Sequence, residues 1–478
     1  MHDAKGSCSF PWGIGYKAAV GITGAVIVIA LAFYGPFLNN FFAFDDFRYI
    51  ENLFSSPRVL LFGYNTTRFL SNLVFVPIYA LSGYNPLGYN IFSLTLHIVN
   101  ALVFAALAIR FSGKMLVGGL AGVLFVSSAA LADALLWKCA NNTLMSTFFS
   151  LVAFHQYLNW RETGKTWERI ISLLLFVAAM FSKEDAAAFP LLIFFYELVC
   201  RNQNIQSIRL SIPYASVVVF YVITTQLLIR VFHIPLEHYE RFLSFRPVYA
   251  LMGGFSAFLM NPGGHLLQPG LAIITGTALV LVTIWWINDR RLILFALIGI
   301  FLTFLPSSLT SLGSFSPKYI FQSVSRYLYF PSAMAALAMA LVLAEVQQRL
   351  TRRVAATVVT AIVCGYIGYN YLQVSIRGRQ WYQETEPVRI FLQAMQQVVP
   401  SIPRNSYVFA IDPPVGRAYV QQSLRAFYQN PNITWIVDPR TFTVPIGASA
   451  FVIVCHWIAN DNVQIEIVPF TRELFRTY

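Results

Sequence analysis

The chain has 478 residues, 57% hydrophobic and only 11% charged, with a net charge of +12 and a mean hydropathy of +0.60. A soluble domain carries about a quarter charged residues, so this composition excludes a water-exposed globule that hides all its apolar side chains in a core. The positive charge does not point to nucleic acid. Arg110 and Lys114, Arg161, Lys165 and Arg169, Arg201 and Arg209, Arg290 and Arg291, and Arg349, Arg352 and Arg353 form short clusters beside apolar runs. That is the pattern of positive-inside topology signals.

In chain order, apolar runs near 16–35, 87–109, 115–132, 143–159, 168–181, 186–200, 210–231, 270–287, 292–309, 327–345 and 354–371 predict about eleven membrane spans. Crossing about 30 Å of hydrocarbon as helix takes roughly 20 residues. Lys5 and Lys17 precede the first run, and no small-x-small cleavage site follows Ala32, so this run reads as a retained anchor. With the N-terminus inside, every basic cluster falls on the cytoplasmic side, and the first loop, about 37–86, lies outside.

That loop begins FFAFDDFRYIENLF. Its later stretch, 68–83, is apolar but opened by Arg68 and interrupted by Pro77, which predicts a helix at the interface rather than a crossing. A second outer segment holds Asp133, Trp137 and Lys138. A third, about 232–269, holds His233, Glu237, His238, Glu240, Arg241, Arg246 and His265. A fourth, about 310–326, leads into SRYLYFPS. Beyond residue 372 an amphipathic helix (380–398), a strand (406–412), a helix (416–429) and strands at 433–438, 450–457 and 463–468 predict a small extracytoplasmic α/β domain. It has no Gly-rich phosphate loop. The expected architecture is therefore an α-helical polytopic membrane bundle over 1–372 followed by an α/β domain over 373–478.

Cys8, Cys139, Cys200, Cys364 and Cys455 share no metal-type spacing and read as isolated apolar residues. His233 and His238 have no ligand spacing that assigns a metal. His97, inside an apolar run, reads as a hydrogen-bonded core histidine.

Charged groups are costly at the bilayer centre, and here they gather at outer span ends: Asp45, Asp46, Arg48, Arg58, Arg68, Asp133, Lys183, Glu184, Asp185 and Arg326. One bundle would bring them into a single polar basin. Asp45 and Asp46 follow an aromatic run, where partial desolvation raises a carboxylate pKa and suits a general base. Arg68, Lys183 and Arg326 are the complement, able to grip a phosphate and stabilise charge on a departing one. For Arg68, snorkelling toward lipid headgroups is the competing reading.

These residues resemble the GT-C superfamily of polyprenyl-phosphate-sugar glycosyltransferases, most closely the protein O-mannosyltransferases and the transmembrane, tetratricopeptide-repeat-bearing O-mannosyltransferases. The resemblance rests on four motifs in order: FDD at 44–46, the stretch RFLSNLVFVPIYALSG to HIVNAL at 68–102, SKEDAAAFP at 182–190 and SRYLYFPS at 325–332. It departs where relatives read "HPVHVEAVAW" and this chain has SSAALADALLW (127–137), with Asp133 in place of the glutamate. The "GRxDLL" that follows becomes ANNTLM (140–145), and no tetratricopeptide repeats are present.

The resemblance implies inverting transfer from a polyprenyl-phosphate-linked sugar to a protein or glycan hydroxyl outside the membrane. It implies Asp45 as the catalytic base with Asp46 beside it, Arg68, Lys183 and Arg326 on the donor phosphate, and Asp133, Glu184 and Tyr327 near substrate. A divalent metal stays open, and nucleic acid is not expected. The lost second-loop residues leave a non-catalytic GT-C-like subunit as one alternative, and a lipid-linked sugar transporter is the other. A transporter would be expected to place ionisable groups at the midplane and to show repeat symmetry. The sequons at Asn65, Asn141 and Asn432 fall outside, and absent eukaryotic retention signals favour a bacterial cytoplasmic membrane.

Overall fold

A computed structural model describes residues 12–54, 68–232, 284–310, 325–414, 417–459 and 462–471. Arg58, Asn65, the histidines of the third outer segment and most of the expected 270–287 span lie outside the described residues.

The first helix, α1 (Trp12–Tyr34), leads into the first loop, which folds as α2 (Asp46–Leu53) and α3 (Phe69–Ser82). The bundle continues with α4 (Pro86–Ser112), α5 (Met115–Val126), the short α6 (Ala132–Leu136), α7 (Asn141–Thr163) and α8 (Thr166–Ser182). It is completed by α9 (Phe189–Phe195), α10 (Asn204–Phe232), α11 (Arg290–Thr310), α12 (Tyr329–Arg349) and the 47-residue α13 (Arg352–Val398).

Local chemistry sets several boundaries. Asn85 caps α4 by accepting from the Leu87 N–H, and Pro86 opens the helix at a position where no N–H is needed. Within the bundle α4 and α5 pack closely because Gly118 sits against Ile109 and the Ala105 carbonyl. A Cβ there would come within 2.2 Å of the Ile109 side chain.

Five described helices are long and apolar enough to span a membrane. They lie at Tyr16–Phe37, Pro86–Ser112, Asn204–Leu228, Arg326–Arg349 and Arg352–Val398. A sixth arises if Met115–Val126 and Ala129–Leu136, bent by 52°, count as one broken span. Several of the other apolar runs expected to cross form shorter or more polar helices. α8 has 17 residues, and α7 opens on Asn141 and Asn142. The 68–83 stretch forms the short helix α3.

At about 1.5 Å per residue, α13 is roughly 70 Å long, more than twice the hydrocarbon thickness. The residue-372 boundary therefore lies inside a continuous helix that passes from the bundle into the C-terminal domain. There β1 (Ser406–Ile411), α14 (Arg417–Phe427), β2 (Thr434–Trp435), β3 (Ser449–Ala459) and β4 (Asn462–Pro469) form a sheet of order β2-β1-β3-β4. β1 runs parallel to β2 and β3, while β3 and β4 are antiparallel. The strand expected over 433–438 shrinks to Thr434–Trp435, an edge position where strands are commonly short.

Two apolar cores result. One joins the bundle helices. The other unites first-loop residues Phe42, Phe47, Ile50 and Phe75 with Phe391, Leu392, Val408, Leu424 and Ile453 of the C-terminal third. Arg425 pairs with Glu51 at 3.1 Å, and the Tyr84 hydroxyl donates to the Ala426 carbonyl across the same seam. At the opposite end of the bundle, Arg161 forks onto Glu197 at 2.9 and 3.0 Å, and Arg110 bonds Glu162 and Asn159.

Candidate active site

The turn before α2 is pinned from several sides. Asn90 donates to the Leu38 and Asn40 carbonyls, the Asn40 amide reaches the Gly378 carbonyl at 3.1 Å, and Lys138 Nζ donates to the Asn40 and Phe41 carbonyls at 2.6 and 2.5 Å. Asp46 turns inward, fully buried, and accepts from the Ala43 N–H at 3.0 Å and the Cys139 N–H at 2.7 Å. Burial pushes Asp46 up to about 6, against the pull of Lys138 and those two N–H groups. Burial likewise brings Lys138 down to about 8, against the pull of Asp46. The Cys139 N–H on Asp46 and the Lys138 ammonium on the Asn40 and Phe41 carbonyls together stitch the first loop to the segment after α6.

Asp45 has the opposite environment. It is half-buried at the N-cap of α2, yet its carboxylate makes no capping bond, and among the described residues it has no side-chain hydrogen bond. Its charge, with those of Asp46, Arg326 and Arg68, acts on the buried Cys139 thiol. The thiol is pushed up by burial and then by the two aspartates, and pulled back by the two arginines. Trp137 joins these segments in space, its ring meeting Phe44 at 6.2 Å and the Arg326 guanidinium at 4.4 Å.

The cations differ in what already holds them. Arg68 forks onto Glu184, with Nε to Oε2 at 2.9 Å. Burial opposes the Glu184 charge, but Arg68 and then Lys183 hold that carboxyl down to about 2. Lys183, itself buried, bonds Asp185 at 2.5 Å and Thr143 at 2.8 Å and lies 4.3 Å from the centre of the Tyr327 ring. Arg326 faces the Trp137 ring at 4.4 Å and the Tyr327 ring at 4.9 Å and donates to the Tyr327 hydroxyl at 3.2 Å. Among the described residues it has no carboxylate partner. A half-buried guanidinium with ring contacts but no carboxylate is suited to take an anion.

The remaining candidate, Asp133, is 3% exposed and accepts from Arg377 at 2.6 Å and the Trp381 indole N–H at 2.7 Å. It anchors α13 to α6. Tyr327 bridges the Lys183 and Arg326 cations, and Glu184 is occupied by Arg68.

Sequence reasoning missed the inward turn of Asp46 toward the Cys139 N–H, and it missed Arg377 and Trp381 altogether. No local pattern signals either, because their partners lie about 90 and 240 residues away. His97 is bonded to the Tyr329 hydroxyl at 2.7 Å and the Val126 carbonyl at 3.2 Å. The Asn141 sequon is fully buried, so it is closed to modification. No group of three or more His, Cys, Asp or Glu able to hold a metal occurs among the described residues. A cavity of about 330 Å³ in the C-terminal domain is lined by Asn405, Tyr407, Arg425 and Thr434. Its one cation is paired with Glu51, so it offers no catalytic group.

No family model matches the chain, and no curated protein matches it. Solved structures do. ArnT from Cupriavidus metallidurans bound to undecaprenyl phosphate aligns with a TM-score of 0.54 at 16% identity, over 95% of this chain and 98% of that one. The apo state of the same protein aligns with a TM-score of 0.54 at 16% identity, over 96% and 99%. The fold is of the GT-C type. The chain is an integral membrane protein with several apolar helices and a small C-terminal sheet domain, as expected from the sequence.

Proposed function

We propose that this chain is an inverting glycosyltransferase that moves a sugar from a polyprenyl-phosphate donor to a hydroxyl of an extracytoplasmic protein or glycan. The observation that carries the reading is that Asp45, whose carboxylate has no bonding partner among the described residues, follows Phe44 on one side of Trp137, while Arg326, with no carboxylate partner there, lies over the same ring. The structural likeness to a protein captured with undecaprenyl phosphate supports the lipid-phosphate class of donor.

In this reading Asp45 takes the proton of the acceptor hydroxyl as its oxygen attacks the anomeric carbon. The carbon–phosphate-oxygen bond breaks, and the lipid phosphate leaves with its negative charge against Arg326, with Arg68 and Lys183 behind it. The motifs shared with O-mannosyltransferases make a mannosyl lipid the first donor to try. The basin faces the outside of a bacterial cytoplasmic membrane in this assignment, consistent with basic clusters at the other end of the bundle.

The test is release of polyprenyl phosphate from a labelled lipid-linked sugar by purified protein. Asp45→Asn is expected to cut turnover by about 10²–10⁴-fold. It should leave thermal stability unchanged, because no capping bond is lost. Full turnover by Asp45→Asn would remove Asp45 from the mechanism. One observation favours a non-catalytic subunit as the second reading: Arg68 and Lys183 are already neutralised by Glu184 and Asp185. Donor binding without release would decide for it.

A further inference from the structure

Phe44, immediately before Asp45, has a φ of +47°, in the left-handed region that a bulky L side chain rarely adopts. Such a conformation persists only where its surroundings over-determine it. Here they do. Behind the residue, Asp46 folds back to bond the Ala43 N–H and ties the turn to Cys139. In front, the Phe44 ring meets Trp137 at 6.2 Å, Trp381 at 6.3 Å and Tyr419 at 5.4 Å, all edge to face.

Those three rings come from the segment after α6, from α13 and from α14 of the C-terminal domain. Two of them also reach charged groups. Arg326 lies over Trp137, and Arg377, bonded to Asp133, lies over Trp381 at 5.5 Å. A glycine at position 44 would relieve the strain if the turn only needed to reverse the chain. The phenylalanine at this position gives the C-terminal third a handle on the backbone that leads into Asp45.

We propose that Trp381 and Tyr419 are positioning residues: through Phe44, the long helix and the α/β domain set the aim of the Asp45 carboxylate. The C-terminal domain is then part of the active site's construction, acting through another side chain. This inference rests on the glycosyltransferase reading and on Asp45 as its base.

The experiment uses purified full-length protein and a labelled lipid-linked sugar, comparing wild type, Tyr419→Ala, Tyr419→Phe, Phe44→Gly and the Tyr419→Ala/Phe44→Gly double variant. Tyr419→Ala should remain folded and lower kcat by about ten- to a hundred-fold, the scale of an ångström-level misplacement. Its KM for the donor should stay within about two-fold of wild type, and Tyr419→Phe should restore kcat. The double variant should be no worse than the more severe single one, since both changes act on one element. The proposal is overturned if Tyr419→Ala keeps wild-type kcat or raises only KM. It is also overturned if activity falls only with the folded fraction and Tyr419→Phe does not rescue it. Wild-type protein that releases no polyprenyl phosphate would instead overturn the enzyme reading, and this inference with it.

Discussion

A carboxylate at a helix N-cap ordinarily accepts from the first turn and contributes about 1 kcal/mol. Asp45 forgoes that bond, while the buried Asp46 is engaged by the Ala43 and Cys139 N–H groups. Only one of the two is therefore available for chemistry. The cations separate in the same way. Arg326 is half-buried, with ring contacts but no carboxylate partner among the described residues. Arg326→Met should therefore weaken polyprenyl-phosphate binding with little change in the thermal midpoint, both read in detergent solution. A lower midpoint with unchanged binding would contradict this account. Glu184 is held at about 2, below its ordinary 4.5, so its pairing with Arg68 stabilises the fold fully above about pH 4.5 and is lost as pH falls toward 2. The shift corresponds to about 3 kcal/mol at most. The stability difference between wild type and Glu184→Gln should accordingly shrink across that window in an acid-unfolding series.

At the level of elements, α13 does most to position the basin. It carries Arg377 and Trp381 to Asp133 and receives the first loop at Gly378, whose carbonyl accepts from Asn40. A Cβ on Gly378 would lie 2.5 Å from atoms of the Phe37 ring, whereas one on Gly368 of the same helix meets nothing within 4 Å. Glycine to alanine gains about 1 kcal/mol of helix propensity, but overpacking a filled site costs about 1–3. Gly378→Ala should therefore lower the midpoint and Gly368→Ala should not, by thermal unfolding of the two variants side by side.

For the molecule as a whole, the described residues of the first loop form no core of their own. Phe42, Phe47, Ile50 and Phe75 are buried together with residues of α13 and the sheet domain. Each such side chain contributes roughly 1.5–3 kcal/mol when buried, so losing the shared core exceeds the 5–15 kcal/mol by which a domain is usually stable. A chain ended after Val398 should fail to give a monodisperse peak on size exclusion. Retention of a sharp, donor-binding peak would show that the loop stands alone.

The sequence by itself determined the membrane class, the helical bundle and the α/β tail, and it placed Asp45, Arg68, Lys183 and Arg326 at the ends of apolar runs. These follow from apolar run length, charge cost in lipid and local periodicity, all readable within short windows. The eleven-span count was less secure, because hydrophobic runs alone do not reveal where helices end early or bend, as at α8 and after α5. Only the tertiary structure decided which aspartate turns inward, which cation lacks a carboxylate, and that Phe44 is held by the C-terminal third. Those outcomes depend on contacts between residues up to 375 positions apart, and no window of sequence contains them.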